Sequence, residues 1–184
     1  MNFCLWITGP PGSGKSTIVK ELERLLAEAH FKFVTLELDQ IRKVLTPDPK
    51  YTDEEREIVY RSLVYMAELL MEQSNKNVII DATGNRRRFR DLARQRIPGF
   101  AEAYVQCPLE VCRSREGARD AKAVEKELYQ KAESGRLQGN LPGISVPYEE
   151  PFHPEVLVPS HRLTPHESAK KIMDYLMVEI VRSV

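Results

Sequence analysis

The stretch GPPGSGKS, Gly9 to Ser16, sets three glycines and a lysine between an apolar run and a helical pattern. Its spacing is G-x-x-x-x-G-K-S/T, and Thr17 follows directly. Glycines let a chain curl so that successive N–H groups point inward and form a nest for an anion. A helix opening at the lysine adds the partial positive charge of its N-terminus. In such a loop Lys15 can reach the β- and γ-phosphates of a nucleoside triphosphate, and Ser16 can ligate Mg²⁺. Gly9, Gly12, Ser13, Gly14, Lys15, Ser16 and Thr17 are the expected nucleotide contacts. The competing reading is a glycine-rich turn with no ligand, and the strand-then-helix context weighs against it.

In a parallel sheet, ligands sit beyond the carboxyl ends of the strands. A second strand, FKFVTLEL, delivers Asp39 and, one helical turn on, Arg42. A third, NVIID, delivers Asp81 after four other residues, in the manner of a Walker-B acid that positions the metal. Arg56 falls near the start of a long helix, and Arg113, Arg115 and Arg119 follow a fourth strand. Two carboxylates and several arginines near a phosphate loop suit phosphoryl transfer. An acid positions a hydroxyl or a metal, and arginines meet the charge that spreads over the transferred group. Asp39 is equally suited to cap the helix QIRKVL. Each arginine taken alone reads as a solvated surface charge. The run Arg86, Arg87, Arg88, Arg90, Arg94, Arg96 reads as a solvated helix face, with Arg86 or Arg87 near an anionic substrate.

These residues need a frame. FCLWIT, FKFVTLEL, NVIID, AEAYVQC and EVLVP are strand candidates, and helical patterns alternate with them. Thr52-x-x-Glu55 reads as a capping box opening a helix whose apolar stripe is Val59, Leu63, Met66 and Leu70. TPDP breaks the helix before it. TPHESAKKIMDYLMVEIV closes the chain as an amphipathic helix. The pattern predicts an α/β three-layer sandwich: one parallel five-stranded sheet with helices on both faces. Ser134 to Glu155 is irregular, rich in Gly and Pro.

The 184 residues suit one domain, and 42% hydrophobic content supplies a core. Lys plus Arg and Asp plus Glu are both 27, so no global field draws the chain to nucleic acid or membrane. No apolar run reaches membrane-helix length, and the N-terminus has no basic leader. The three cysteines form no CxxC pair; buried or free thiols in a reducing cytoplasm are expected. The four scattered histidines have no metal-ligand spacing.

Several stretches together resemble the adenylylsulfate kinase family, whose members phosphorylate the 3′-hydroxyl of adenosine 5′-phosphosulfate with MgATP. The loop GPPGSGKST fits. LELDQIR resembles LDGDNIR, matching at Asp39, Ile41 and Arg42. YTDEEREIVYR resembles FSxEDRxxNIR, matching at Arg56 and Arg61, with Tyr51 in place of the aromatic. YVQCPLEVCRSR resembles FVDTPLEVCEQR, and GISVPYEEPFHPE resembles GIDxPYExPxxPE. The resemblance covers nearly the whole chain. It implies ATP and Mg²⁺ as cofactors, with Ser16 and Asp81 at the metal and Arg115 on the nucleotide. Asp39 becomes the base or positioning acid at the acceptor hydroxyl. Arg42 and Arg56 become grips on the phosphosulfate, and Tyr51 one face of a clamp on the acceptor adenine. A homodimer and a mobile lid, about residues 113–135, are implied as well. The departures are Glu37 for the first Asp of the DGD, Val59 for an acceptor-holding Asn, Leu141 for the second clamp Phe, and Ser145 for the Asp of GID. Gly84, in DATGNRR, stands for the serine of ISPY. Most lie on the acceptor side. Two other readings therefore stay open: a related kinase with a different anionic acceptor, and a nucleotide-binding regulatory ATPase.

Overall fold

The computed structural model describes residues 2–74, 76–117 and 147–182. Five strands, β1 (Cys4–Thr8), β2 (Phe33–Glu37), β3 (Asn77–Asp81), β4 (Phe100–Gln106) and β5 (Val156–Pro159), form one sheet in the order β2-β3-β1-β4-β5. All four pairings are parallel. The described helices are α1 (Lys15–Glu28), α2 (Leu38–Leu45), α3 (Asp53–Gln73), α4 (Arg87–Arg96), α5 (Leu109–Gly117) and α6 (Pro165–Arg182).

Successive residues of a strand face opposite ways, so β1 feeds two cores. Leu5 and Ile7 join Ile18, Leu22 and Leu26 of α1 and Ile172 and Leu176 of α6. Cys4 and Trp6 join Val59, Tyr60 and Leu63 of α3 and Phe89 and Ala93 of α4. This is the expected three-layer arrangement, with the phosphate loop leaving the central strand.

Helix starts explain where site residues fall. The Thr52 hydroxyl accepts from Glu55 N at 3.2 Å and caps α3. The Glu55 carboxylate accepts from Lys50 N (2.6 Å) and Tyr51 N (3.3 Å), which fixes the chain entering the helix. For Asp39 the capping reading is corrected. Leu38 is buried against the α3–α4 core and starts α2, so the N-cap position is Glu37 and Asp39 lies inside the first turn. Its charge there still favours the positive end of the helix.

The basic helix α4 is not the uniformly solvated face expected. Arg90 is 1% exposed and pairs with the buried Glu102 of β4 at 2.6 Å, a contact without an aligned hydrogen bond between those two atoms. Arg90 also donates to the Gly84 carbonyl and, at 2.6 Å, to the Glu149 carbonyl. Arg94 bridges Glu102 (3.5 Å) and Glu155 (2.8 Å). A charge buried this deeply survives only when paired and hydrogen-bonded. Glu102→Ala strands the Arg90 charge and is expected to lower stability by about 3–5 kcal/mol. The pair replacement Arg90→Met with Glu102→Leu should cost clearly less. Urea unfolding of the two proteins checks this; equal losses would contradict the buried-pair account.

Candidate active site

The loop Gly9–Gly14 joins β1 to α1 and lies against β4. A Cβ on Gly9 would sit 2.6 Å from the Val105 carbonyl oxygen and 2.9 Å from Ser13 Oγ, so no other residue fits there. Lys15 is 9% exposed, and its Nζ donates to the carbonyls of Gly9 and Pro10, both at 2.9 Å. The loop's far side is held by Ser160, just beyond β5. Its hydroxyl donates to the Ser13 carbonyl at 2.7 Å. Arg115 Nη2 in turn donates to the Ser160 carbonyl at 3.0 Å. A cavity of about 340 Å³ opens here, lined among others by Gly12, Ser13, Thr17, Arg115, Leu163 and Ser168. The hydroxyls of Ser13 and Ser168 are buried without a hydrogen-bond partner. Sequence reading named Gly12, Ser13, Thr17 and Arg115 but missed Ser160, Leu163 and Ser168. Ser160 was findable, because it follows a strand's carboxyl end. Ser168 was not, because it sits inside an amphipathic helix where a serine carries no signal.

On the β3 side, the Ser16 hydroxyl and Lys15 both lie close enough to Asp81 to stabilise its carboxylate. Burial nevertheless holds the Asp81 carboxyl above its ordinary value, with Asp39 and Glu37 adding repulsion. A hydroxyl beside a carboxylate at the phosphate loop fits Mg²⁺, which takes one or two protein oxygens and draws its other ligands from phosphates and water. Asp39 is exposed, and its charge reaches both Asp81 and Tyr60.

Beyond Asp39 three guanidinium groups converge. Arg56 is 2% exposed; its Nε donates to the Tyr51 carbonyl at 3.4 Å, and its Nη2 is buried without a partner. Burial pushes the Arg56 guanidinium below its ordinary value, and the charges of Arg42 and Arg86 push the same way. Arg42 pairs with Glu55 at 3.2 Å and lies 5.6 Å over the Tyr51 ring. Arg86, which the sequence placed on a solvated face or near an anion, pairs with Asp53 at 2.8 Å. Tyr51 has φ of 54°, a left-handed backbone that a bulky residue adopts only when its surroundings hold it there. A buried guanidinium with an orphan N–H, beside two partly buried ones, calls for an anion.

Gly84 also belongs to this side. Its N–H donates to Tyr60 Oη at 3.0 Å, and a Cβ would meet Trp6 at 3.0 Å and Arg90 at 3.1 Å. A serine could not stand there without moving that core. Val59 is fully buried in the α3–α4 core. Arg61 is drawn away: its side chain is 66% exposed and 3.9 Å from Glu57. Arg113 is exposed. Arg119, Leu141, Ser145 and the lid beyond residue 117 lie outside the described residues.

Asp81 yields a pH prediction. A carboxyl raised on folding binds its proton more tightly in the native state. Between its ordinary and its raised value, stability therefore falls as pH rises. Asp81→Asn keeps an oxygen acceptor for Ser16 and removes the buried charge. Without ligands it should unfold at higher urea than the native protein at neutral pH, with a flatter dependence through the acid range. A less stable Asp81→Asn protein at neutral pH would contradict the burial argument.

Comparison with known proteins agrees with this geometry. Residues 1–159 match the family described as adenylylsulphate kinase. The chain is 39% identical over 171 residues to a probable adenylyl-sulfate kinase of Pyrococcus abyssi, covering 93% of this chain and 92% of the other. It is 37% identical over 172 residues to the adenylyl-sulfate kinase of Halothermothrix orenii, covering 94% and 88%. The solved APS kinase of Mycobacterium tuberculosis, in complex with AMPPNP and APS, superposes with a TM-score of 0.81 at 28% identity, over 96% of this chain and 98% of that one. With a match running from the first strand through the fifth, and relatives this similar over nearly their full length, the chain belongs to the adenylylsulphate kinase family of phosphotransferases.

Proposed function

We propose that the protein transfers the γ-phosphoryl group of ATP to the 3′-hydroxyl of adenosine 5′-phosphosulfate. The observation that carries this reading is the buried Arg56 with its unpartnered Nη2, beside Arg42 and Arg86. Such a cluster suits an acceptor bearing its own anionic group, on the β2–β3 side of the sheet, while the nucleotide cavity opens on the β4–β5 side.

In this reading the triphosphate takes the place of the Gly9 and Pro10 carbonyls at Lys15, and the loop amides hold the β-phosphate. Arg115 packs over the nucleotide in the cavity by Ser160 and Thr17. Ser16 and Asp81 would hold Mg²⁺, which neutralises charge on the phosphates when bound. Arg42 and Arg56 grip the phosphosulfate. Tyr51 offers its ring to the acceptor adenine, with Leu141 as the opposite face. Asp39 orients the 3′-hydroxyl and takes its proton as the new O–P bond forms and the bond from the γ-phosphorus to the β–γ bridging oxygen breaks, releasing ADP. Positioning and electrostatics supply most of the rate in such transfers. A single kinase domain with a lid, a homodimer and a cytoplasmic location belong to the same reading; among the described residues no helix is long and apolar enough to cross a membrane.

A second reading, a different anionic acceptor, is favoured by Val59, which is 0% exposed inside the apolar core and cannot replace an acceptor-holding amide. Incubation with MgATP and adenosine 5′-phosphosulfate, followed by mass spectrometry, separates the two. The expected result is ADP together with an acceptor heavier by one phosphoryl group. ADP release that does not respond to this acceptor would contradict the proposal.

Lys15→Ala should reduce turnover by roughly a hundredfold or more while the protein stays folded, because the lysine stabilises charge that develops during transfer. Circular dichroism and steady-state rates check this together. Near-native turnover in a folded Lys15→Ala protein would remove the loop from the mechanism.

A further inference from the structure

Asn85 is 0% exposed, and neither its Oδ1 nor its Nδ2 has a hydrogen-bond partner. A buried amide with both polar atoms unmet is costly, and a small apolar residue would avoid the cost.

The backbone around it is pinned. The preceding Gly84 donates to Tyr60 Oη at 3.0 Å, and its carbonyl accepts from the buried Arg90. The Asn85 carbonyl accepts from Glu149 N at 2.8 Å. The following Arg86 donates to Asp53 at 2.8 Å. Two of these ties run to α3, the helix that carries Arg56, and Arg56 Nη2 is another orphan polar atom of the same region. The charge of Arg86 reaches Arg56. Asn85 thus sits on a turn tied at both neighbours to the helix that carries Arg56, with its amide donor and acceptor unspent.

A side-chain amide offers N–H and C=O side by side, at fixed separation. The 6-amino group and N7 of adenine offer the reverse pair, and asparagine meets that edge in a bidentate contact. We infer that Asn85 reads the adenine of the acceptor through its amide and is a specificity-determining residue of the reaction. This rests on the reading of the acceptor as adenosine 5′-phosphosulfate. It also accounts for the buried Val59: the amide that reads the acceptor enters from the loop after β3 rather than from α3.

The test compares adenosine 5′-phosphosulfate with its inosine counterpart, in which an oxo group replaces the 6-amino group. The native protein should prefer the adenosine compound in kcat/KM by roughly ten- to a hundredfold. Asn85→Ala should lose most of that preference, slowing far more on the adenosine compound than on the inosine one. Its KM for MgATP should stay the same, and its unliganded stability should be equal or higher. Asn85→Asp, of the same shape, keeps the acceptor for the 6-amino group but loses the donor to N7, which both compounds carry, so it should slow on both while retaining the preference, and it guards against a misfolded alanine variant. Native discrimination retained in a folded Asn85→Ala protein, or native rates on both compounds in folded Asn85→Asp, would overturn the inference while leaving the acceptor reading in place. Failure of the native protein to phosphorylate either compound would overturn both.

Discussion

A backbone cradle for phosphate tolerates no side chain between itself and the sheet, and the remaining structure is arranged around that constraint. Gly9 meets the Val105 carbonyl too closely for a Cβ, so the loop is seated on β4. Ser160, beyond β5, ties the loop from the other side. Loop amides, the α1 N-terminus and Lys15 then concentrate positive potential at one spot. Lys15 rests on the Gly9 and Pro10 carbonyls, which keeps a nearly buried ammonium satisfied. Asp81 and Asp39 supply the opposing charge, and burial keeps Asp81 from doing so at no cost.

The acceptor side depends on the second core more than on the loop. Trp6 Nε1 donates to the Ala82 carbonyl at 2.9 Å, and the Tyr60 ring stacks on Phe89 with centroids 4.2 Å apart. Both fix the chain after β3. Arg90 extends this fixation by binding Gly84, Glu102 and the chain at Glu149, and it lies 5.4 Å over the Tyr148 ring. Thr8, at the end of β1, joins the same strap through Tyr148 Oη at 2.8 Å. The strap from Tyr148 to Glu150 and the DATGN turn are therefore one mechanical unit. Gly84 follows from that packing, not from loop flexibility.

Much of this was legible in the residues. The phosphate loop, the five parallel strands and the helix opening at Thr52 follow from local spacing and capping chemistry, and the structure has them. Asp81 was legible because it ends an apolar run. Where reading failed, long-range packing decided. Arg90 looked like its neighbours in a basic run, yet it alone of them is buried, against Glu102 of β4. Arg56, named as a grip through the resemblance, read alone as a surface charge, and its burial in α3 was not legible. Asp39 looked like a cap because nothing in LELDQIR says that Leu38 will be drawn into the core and start the helix early. Asn85 had no signal at all, since an asparagine after glycine reads as a turn.

The proposed function comes down to a division of labour across the sheet: the loop and Arg115 would hold the donor, and the buried Arg56 with Arg42 would hold the acceptor. Steady-state kinetics of Arg56→Met with both substrates varied test it most directly. Methionine fills the space and removes a buried charge, so the protein should remain folded. The account predicts an acceptor KM raised by roughly thirtyfold or more, with the KM for MgATP unchanged. A loss shared equally by both substrates, or by neither, would contradict it.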